Sequence, residues 1–244
     1  MGSRDAVIFD VDGTLAETER DGHRVAFNRA FAEAGLPWRW DEQLYGELLA
    51  VTGGRERIAH YARRLAPGWP GGELDDGRIA ALHRRKNEHY AAIVEAGELR
   101  LRPGVARLLD ELGAAAVRLA IATTTSRTNL DALLRATLGA AAAERFEVVV
   151  CGEDVGRKKP DPEAYLLALR RLGLPAARCL AVEDSANGLR AALAAGVATV
   201  IVRSLYTRDE DFRGALQVFD GYAAGPAAAV DGHHLSASFI TAGR

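Results

Sequence analysis

The sequence predicts an α/β fold: a doubly wound, mostly parallel sheet with an inserted all-helical unit. Three observations predict it. Short runs rich in β-branched residues recur with helical patterns between them, the alternation expected of a parallel sheet covered by helices on both faces. Those runs are almost continuously apolar, as strands buried on both sides must be. More than 100 residues separate the first run from the second, too many for a crossover, so a further unit must sit between them.

The expected strands are 6–9, 118–122, 146–150, 179–182, 199–202 and 218–219. In the insertion, Phe27, Ala30, Phe31 and Ala34 follow the i, i+3, i+4, i+7 spacing of a helix, with Gly35 and Pro37 as its stop. Ile58, Tyr61, Ala62 and Leu65 repeat the pattern, in a helix that begins in the stretch 51–57. A third helix starts near Asp75 and Asp76, whose side chains can cap it, and carries Ile79, Leu82, Lys86 and Ile93. The Pro- and Gly-rich stretch 67–72 reads as a loop, and 102–104 returns the chain to the sheet. The expected division is a core of residues 1–16 and 100–230, a helical cap of 17–99, and a tail of 231–244 without a clear pattern. His233 and His234 in that tail lack other ligand-spaced residues and read as surface.

With 31 Lys+Arg against 33 Asp+Glu the net charge is −2, which argues against a nucleic-acid-binding chain. At 48% hydrophobic and 26% charged it is an ordinary globular sequence, and disordered or collagen-like classes are excluded. No run approaches the roughly 18 consecutive apolar residues of a spanning helix, so no membrane association is expected. Cys151 and Cys179 are too few for a stapled secreted scaffold and read as small apolar residues in a reducing compartment. A cytoplasmic monomer acting on a small molecule is the expectation.

The chemistry sits where strands end. Asp10 and Asp12, in Asp10-Val11-Asp12-Gly13-Thr14, follow the first strand at its carboxyl edge, where open α/β sheets bind ligands. Taken alone, Asp12-Gly13 is equally a turn. Thr123, followed by Thr124, Thr125 and Ser126, ends the second strand and offers hydroxyl and backbone N–H groups to phosphoryl oxygens, although Ser and Thr also cap helices. Lys159, before Pro160, offers a positive charge, or belongs to a solvated Arg157-Lys158-Lys159 run. Glu183 and Asp184 follow the fourth strand, where Asp184 or Ser185 could instead cap the next helix. Acid pair, hydroxyl, lysine and acid pair on one sheet edge make coincidence a poor explanation. Their hard carboxylate oxygens suit Mg²⁺, with Lys159 offsetting the remaining negative charge.

This set resembles the haloacid dehalogenase superfamily, whose phosphatases carry Asp-x-Asp-Gly-Thr, a strand-terminal Thr or Ser, a Lys before Pro and a late acidic pair. The resemblance implies that Asp10 is a nucleophile forming an aspartyl-phosphate and Asp12 the general acid and base. It further implies that Thr123 binds the transferring phosphoryl group and Lys159 stabilises its charge. Asp10, the Asp12 main-chain carbonyl and Asp184 would hold Mg²⁺, with Glu183 assisting directly or through water. A phosphate ester repels an anionic nucleophile, so charge neutralisation is the first catalytic demand.

The insertion lies where this superfamily places a helical cap that reads the substrate. More narrowly, stretches 16–24, 44–49, 52–57, 101–105, 122–126, 158–162 and 182–185 resemble the CbbY-type sugar-bisphosphate phosphatases, which act on xylulose-1,5-bisphosphate, an inhibitor of Rubisco. That resemblance implies substrate contacts at Glu17, His23, Thr124 and Lys86, and a distal-phosphate region at Thr52, Gly53, Gly54 and Arg55. A glycine-bearing turn with exposed arginines accounts for the last four equally well on local grounds. Rival expectations are a β-phosphoglucomutase-like transferase, a phosphoglycolate phosphatase and a noncatalytic phosphoacceptor switch. The general-acid position at Asp12 and the large insertion weigh against the switch.

Overall fold

The structure is a computed structural model that describes residues 4–65, 74–223 and 233–242. Six parallel strands form the main sheet: β1 (Ala6–Phe9), β2 (Arg118–Ala122), β3 (Val148–Val150), β4 (Cys179–Glu183), β5 (Ala198–Val202) and β6 (Gln217–Phe219), in spatial order β3-β2-β1-β4-β5-β6. The order reverses at β1, so the crevice beyond its carboxyl end is the topological switch point. In register, Phe9 lies beside Ile121 on one side and Val182 on the other, which brings the residues after β1, β2 and β4 to one edge.

The pleat sends alternate residues to opposite faces. Val7 and Phe9 join one core with Leu108, Leu109 and Leu112 of α5 (Val105–Ala114) and Leu130, Leu133 and Leu134 of α6 (Arg127–Leu138). Ala6 and Ile8 join another with α7 (Glu163–Leu172) and α8 (Ala186–Ala194). Both faces of β1 are buried, which is why the run is apolar without alternation. Strand β3 is shorter than expected: Phe146 is buried but precedes the ladder, which starts at Val148.

Between β1 and α5 lie α1 (Arg24–Glu33), α2 (Glu42–Leu48), α3 (Gly54–His60) and α4 (Asp76–Glu95). Phe27, Phe31, Trp38, Trp40 and Tyr45 pack with Ile58, Ile79 and Leu82 into a separate aromatic core. Asn28 ties the chain after α1 to it, donating to Trp40 O and accepting from Trp40 N, both at 2.8 Å. Helix α4 starts at the expected place, with Asp75 accepting from Arg78 N at 2.7 Å. Residues Tyr61–Leu65 continue α3 as a wider π-type turn. Helix α2 is seven residues long and buries only Tyr45 and Leu48, too short for a periodic signal.

The expectation of a patternless C-terminal tail is corrected for the described residues. β7 (Gly221–Tyr222) pairs with β8 (His234–Leu235), α9 (Ala237–Thr241) follows, and Tyr222, Leu235 and Ile240 join the first core. Three buried apolar side chains suffice to dock a segment too short to show a period. The loop expected at 67–72 lies outside the described residues. Both cysteines are buried and unbridged, as small apolar residues. No helix of the described residues is long and apolar enough to cross a membrane.

Candidate active site

The sheet edge gathers Asp10, Glu183 and Asp184 so that one carboxylate oxygen of each lies within 4.8 Å of the others. Lys159 reaches in from the loop after β3, with Nζ 2.6 Å from Asp10 Oδ1 and 2.5 Å from Glu183 Oε1. Tyr165 OH donates to the same Glu183 oxygen at 2.6 Å, while Glu183 Oε2 has no hydrogen-bond partner. Ser185 caps α8 by accepting from Gly188 N, which leaves Asp184 free to face the cluster. Gly13 makes the close approach possible: its φ is +85°, and a Cβ there would lie 2.1 Å from Asp184 Oδ2.

Three buried carboxylates beside one ammonium leave an excess of negative charge. Burial, with Glu183 and Asp12 adding to it against the pull of Lys159, raises the Asp10 pKa to about 8. Burial and the Asp10 and Glu183 charges raise Asp184 well above the usual range. For Lys159 burial opposes the charge, but Asp10 and Glu183 outweigh it and raise the pKa. A hard divalent cation fits such a donor set, since it would offset the excess and occupy oxygens such as Glu183 Oε2.

The Asp12 carboxylate points away from that cluster. Its Oδ1 lies 2.9 Å from His23 Nε2 and accepts from Thr18 Oγ1 at 2.5 Å; behind it, Lys86 Nζ is 2.9 Å from His23 Nδ1. Burial works against ionisation of Asp12, but the His23 charge and hydrogen bond, Thr18 and Lys86 outweigh it and hold its pKa down at about 2. Burial, deepened by Arg57 and opposed by Glu19 and Asp12, lowers the Lys86 pKa to about 8.

Two lobes form the cleft between the sheet edge and the helices of the insertion. The smaller, about 90 Å³, is lined by Asp10, Asp12, Lys159, Asp184, Thr52 and Gly53 among others. The larger, about 310 Å³, carries Arg55, Arg57, Arg84, Lys86 and Lys158 against Asp12, Glu19 and Glu153. Asp12, Glu19, Gly53, Arg57 and Thr124 line both, so the lobes are continuous. Arg57 is 7% exposed; its Nε donates to Leu48 O and its Nη1 to Tyr45 OH, both at 3.1 Å, and Tyr45 OH in turn donates to Glu19. Beyond the bonds of Thr18 and His23 to Asp12, polar contacts between the insertion and the core include Asn187 Nδ2 donating to Thr52 Oγ1 at 3.1 Å and Lys158 paired with Glu56 at 2.8 Å. Gly53, at φ +97°, leaves room for that pair, since a Cβ there would lie 2.2 Å from Glu56 Oε2.

The structure thus gathers Asp10, Asp12, Lys159, Glu183 and Asp184 at the cleft, with His23, Lys86, Thr52, Gly53, Gly54, Arg55 and Thr124 on its walls. Thr123 is buried at the end of β2, its hydroxyl accepting from Thr125 N at 3.1 Å. Glu17, like Thr123, lines neither lobe; its carboxylate lies 3.5 Å from Arg102 Nε and from Leu205 N. Glu19 lines both lobes instead. Sequence reasoning did not single out Arg57, which lies in the Thr52–Arg57 stretch and lines both lobes; its burial comes from Tyr45 and Leu48 of α2. His233 and His234 belong to neither cluster of convergent metal-ligand types found among the described residues.

A family model of haloacid dehalogenase-like hydrolases matches residues 4–196. "Protein CbbY, plasmid" of Cupriavidus necator is 53% identical over 213 residues, 87% of this chain and 84% of that protein. The crystal structure of CbbY from Rhodobacter sphaeroides in complex with phosphate superposes with a TM-score of 0.83 at 49% identity, covering 89% of this chain and 94% of that one. An aspartate-to-asparagine variant of the same protein, in complex with xylulose-1,5-bisphosphate, gives 0.84 at 46% identity over 95% of this chain and all of that one. With these likenesses and a carboxylate–lysine cluster at the switch point, the chain belongs to the haloacid dehalogenase-like hydrolases, as a phosphatase of the CbbY type.

Proposed function

We propose that the protein hydrolyses a phosphate ester of a sugar bisphosphate, xylulose-1,5-bisphosphate first among candidates, through an aspartyl-phosphate on Asp10 and with Mg²⁺ at Asp10, Asp184 and the Asp12 carbonyl. The observation that carries the reading is the two-lobed cleft, with nucleophile, acids and Lys159 in one lobe and buried cations in the other. A bisphosphate matches it end to end. The xylulose-1,5-bisphosphate complex of the CbbY neighbour supports this choice of substrate.

Mg²⁺ would supply charge neutralisation at the transferring phosphoryl group. Ionised Asp10 attacks phosphorus, the bond to the leaving oxygen breaks, and Lys159 and Thr123 hold the equatorial oxygens. Lys159 also keeps Asp10 aligned through its 2.6 Å contact. Asp12 enters the cycle protonated and gives its proton to the leaving alkoxide, then as a carboxylate accepts one from the water that opens the aspartyl-phosphate. Residues 17–99 act as the cap: Arg57 and Lys86 bind the distal phosphate, Glu19 meets sugar hydroxyls, and the Thr52–Asn187 and Glu56–Lys158 contacts hold the closed cleft.

The test is phosphate release from xylulose-1,5-bisphosphate, ribulose-1,5-bisphosphate, phosphoglycolate and glucose phosphates with Mg²⁺, each against an EDTA control. Preference for the xylulose ester is expected. Preference for a monophosphate would overturn the distal-phosphate assignment, and activity undiminished by EDTA would overturn the metal. Isomerisation of β-glucose 1-phosphate in the presence of a bisphosphate primer, without net phosphate release, would turn the reading to a mutase.

A further inference from the structure

The turn that follows Asp12 is held by two residues from far along the chain. Gly13 O accepts from Arg102 Nη1, Leu15 O accepts from Arg102 N at 2.9 Å, and between them Thr14 O accepts from Tyr222 OH at 2.8 Å. The guanidinium of Arg102 lies over the Tyr222 ring, 5.4 Å from its centroid, and also donates to Val202 O and Arg203 O at the end of β5. Three consecutive carbonyls beside the reacting carboxylates are therefore fixed by one stacked pair.

Tyr222 is delivered by the C-terminal segment, beyond residues 4–196 that match the family model. That segment has its own anchorage: Ala223 N donates to Leu235 O at 2.9 Å, Leu235 and Ile240 are buried in the core, and Phe239 meets Phe219 edge-on at 5.1 Å. The phenol is 3% exposed, and burial raises its pKa, so it remains a donor. The C-terminal segment thus spends a buried hydroxyl on the loop where Gly13 touches Asp184, although the main sheet is complete without it.

We propose that Tyr222 is a positioning residue for the catalytic turn: the C-terminal segment is a strut that fixes the Thr14 carbonyl and thereby the backbone between Asp10, Asp12 and Gly13. The kinetic part rests on the phosphatase reading above. A displacement of about 1 Å in such groups can cost on the order of 10²-fold in rate. Tyr222→Phe keeps the ring beneath Arg102 and deletes only the hydroxyl.

The experiment compares the wild type and Tyr222→Phe at a temperature where circular dichroism finds both folded. Expected are a kcat about tenfold lower, a KM within about twofold, and faster amide hydrogen exchange in residues 11–16 with β2 and α5 unchanged, the pattern of a misplaced catalytic group. Tyr222→Leu, which also removes the platform for Arg102, should lose more kcat. An unchanged kcat in Tyr222→Phe, or exchange that rises everywhere in parallel with a fall in melting temperature, would overturn the proposal. If the wild type released phosphate from no ester, the phosphatase reading would fall, yet exchange at 11–16 would still decide for or against the strut.

Discussion

At the sheet edge three buried carboxylates share one lysine, whereas across the cleft the inserted helices bury Arg57 and Lys86 with no carboxylate among the described residues in salt-bridge range of either. The buried charges are acidic in the first region, whereas in the second they are basic, with Asp12 and Glu19 nearby. Burying a charge without a partner is costly, and on the proposed reading each region awaits its own ligand group: a cation and a transferring phosphoryl group at the edge, an anion beneath the helices. The difference teaches that residual charge, more than shape, marks which end of a ligand belongs where.

The largest expected effect breaks the edge alone. Asp10→Asn should lower turnover by about 10⁴-fold or more, since an amide cannot attack phosphorus. The same change removes one of three crowded anions, so the melting temperature should hold or rise. Lys159→Met tests the opposite sign at the same place. It should cost on the order of 10²–10³-fold in kcat and destabilise the fold by about 3 kcal/mol, leaving Asp10 and Glu183 without their counter-charge. Equal stability changes in the two variants, read by thermal melts in EDTA, would refute the account of the edge.

Across the cleft, Arg57→Gln should reduce preference for a bisphosphate over its monophosphate by about 10- to 100-fold, the worth of a charge-assisted contact. Arg55→Gln should do less, because Arg55 is exposed. Steady-state kcat/KM on both esters ranks them, and the reverse order would return the distal site to Arg55.

The smallest effect is a pH limb. Lys86, with its pKa near 8, loses its charge above that pH, so kcat/KM for the bisphosphate should fall there, and the limb should vanish in Lys86→Met. The stability sign runs the other way. A lysine whose folded pKa is depressed binds fewer protons folded than unfolded between about 8 and 10.5, so its burial cost is full below 8 and relieved as pH rises through that window. Lys86→Met should therefore melt higher than the wild type at pH 7, by a margin that shrinks toward pH 10.5.

The edge was legible because its information is local. A strand buried on both faces announces itself by composition, and the residue that follows it lies at the carboxyl edge whatever the rest of the fold does; Asp10 and Asp184 are placed that way, whereas Lys159 reaches the cluster from a loop beyond the end of β3. The insertion hid its information in contacts. Arg55 stood out because it follows Gly53 and Gly54 at a helix start; Arg57 is buried because Tyr45 and Leu48 of the short helix α2 close over it. Glu17 and Glu19 differ only in which way the chain turns after Thr18, toward Arg102 for the first and Tyr45 for the second.

By itself, then, the sequence determined the parallel α/β class, the order of the strands along the chain and the groups presented at their ends, because each depends on near neighbours and burial. The tertiary structure alone decided that Asp12 faces His23, that Arg57 and Lys86 open on one cavity, and that Tyr222 comes to rest beneath Thr14. Those relations join residues from 11 to 208 positions apart, and a hydrogen bond across such a separation leaves no periodicity for a sequence to display.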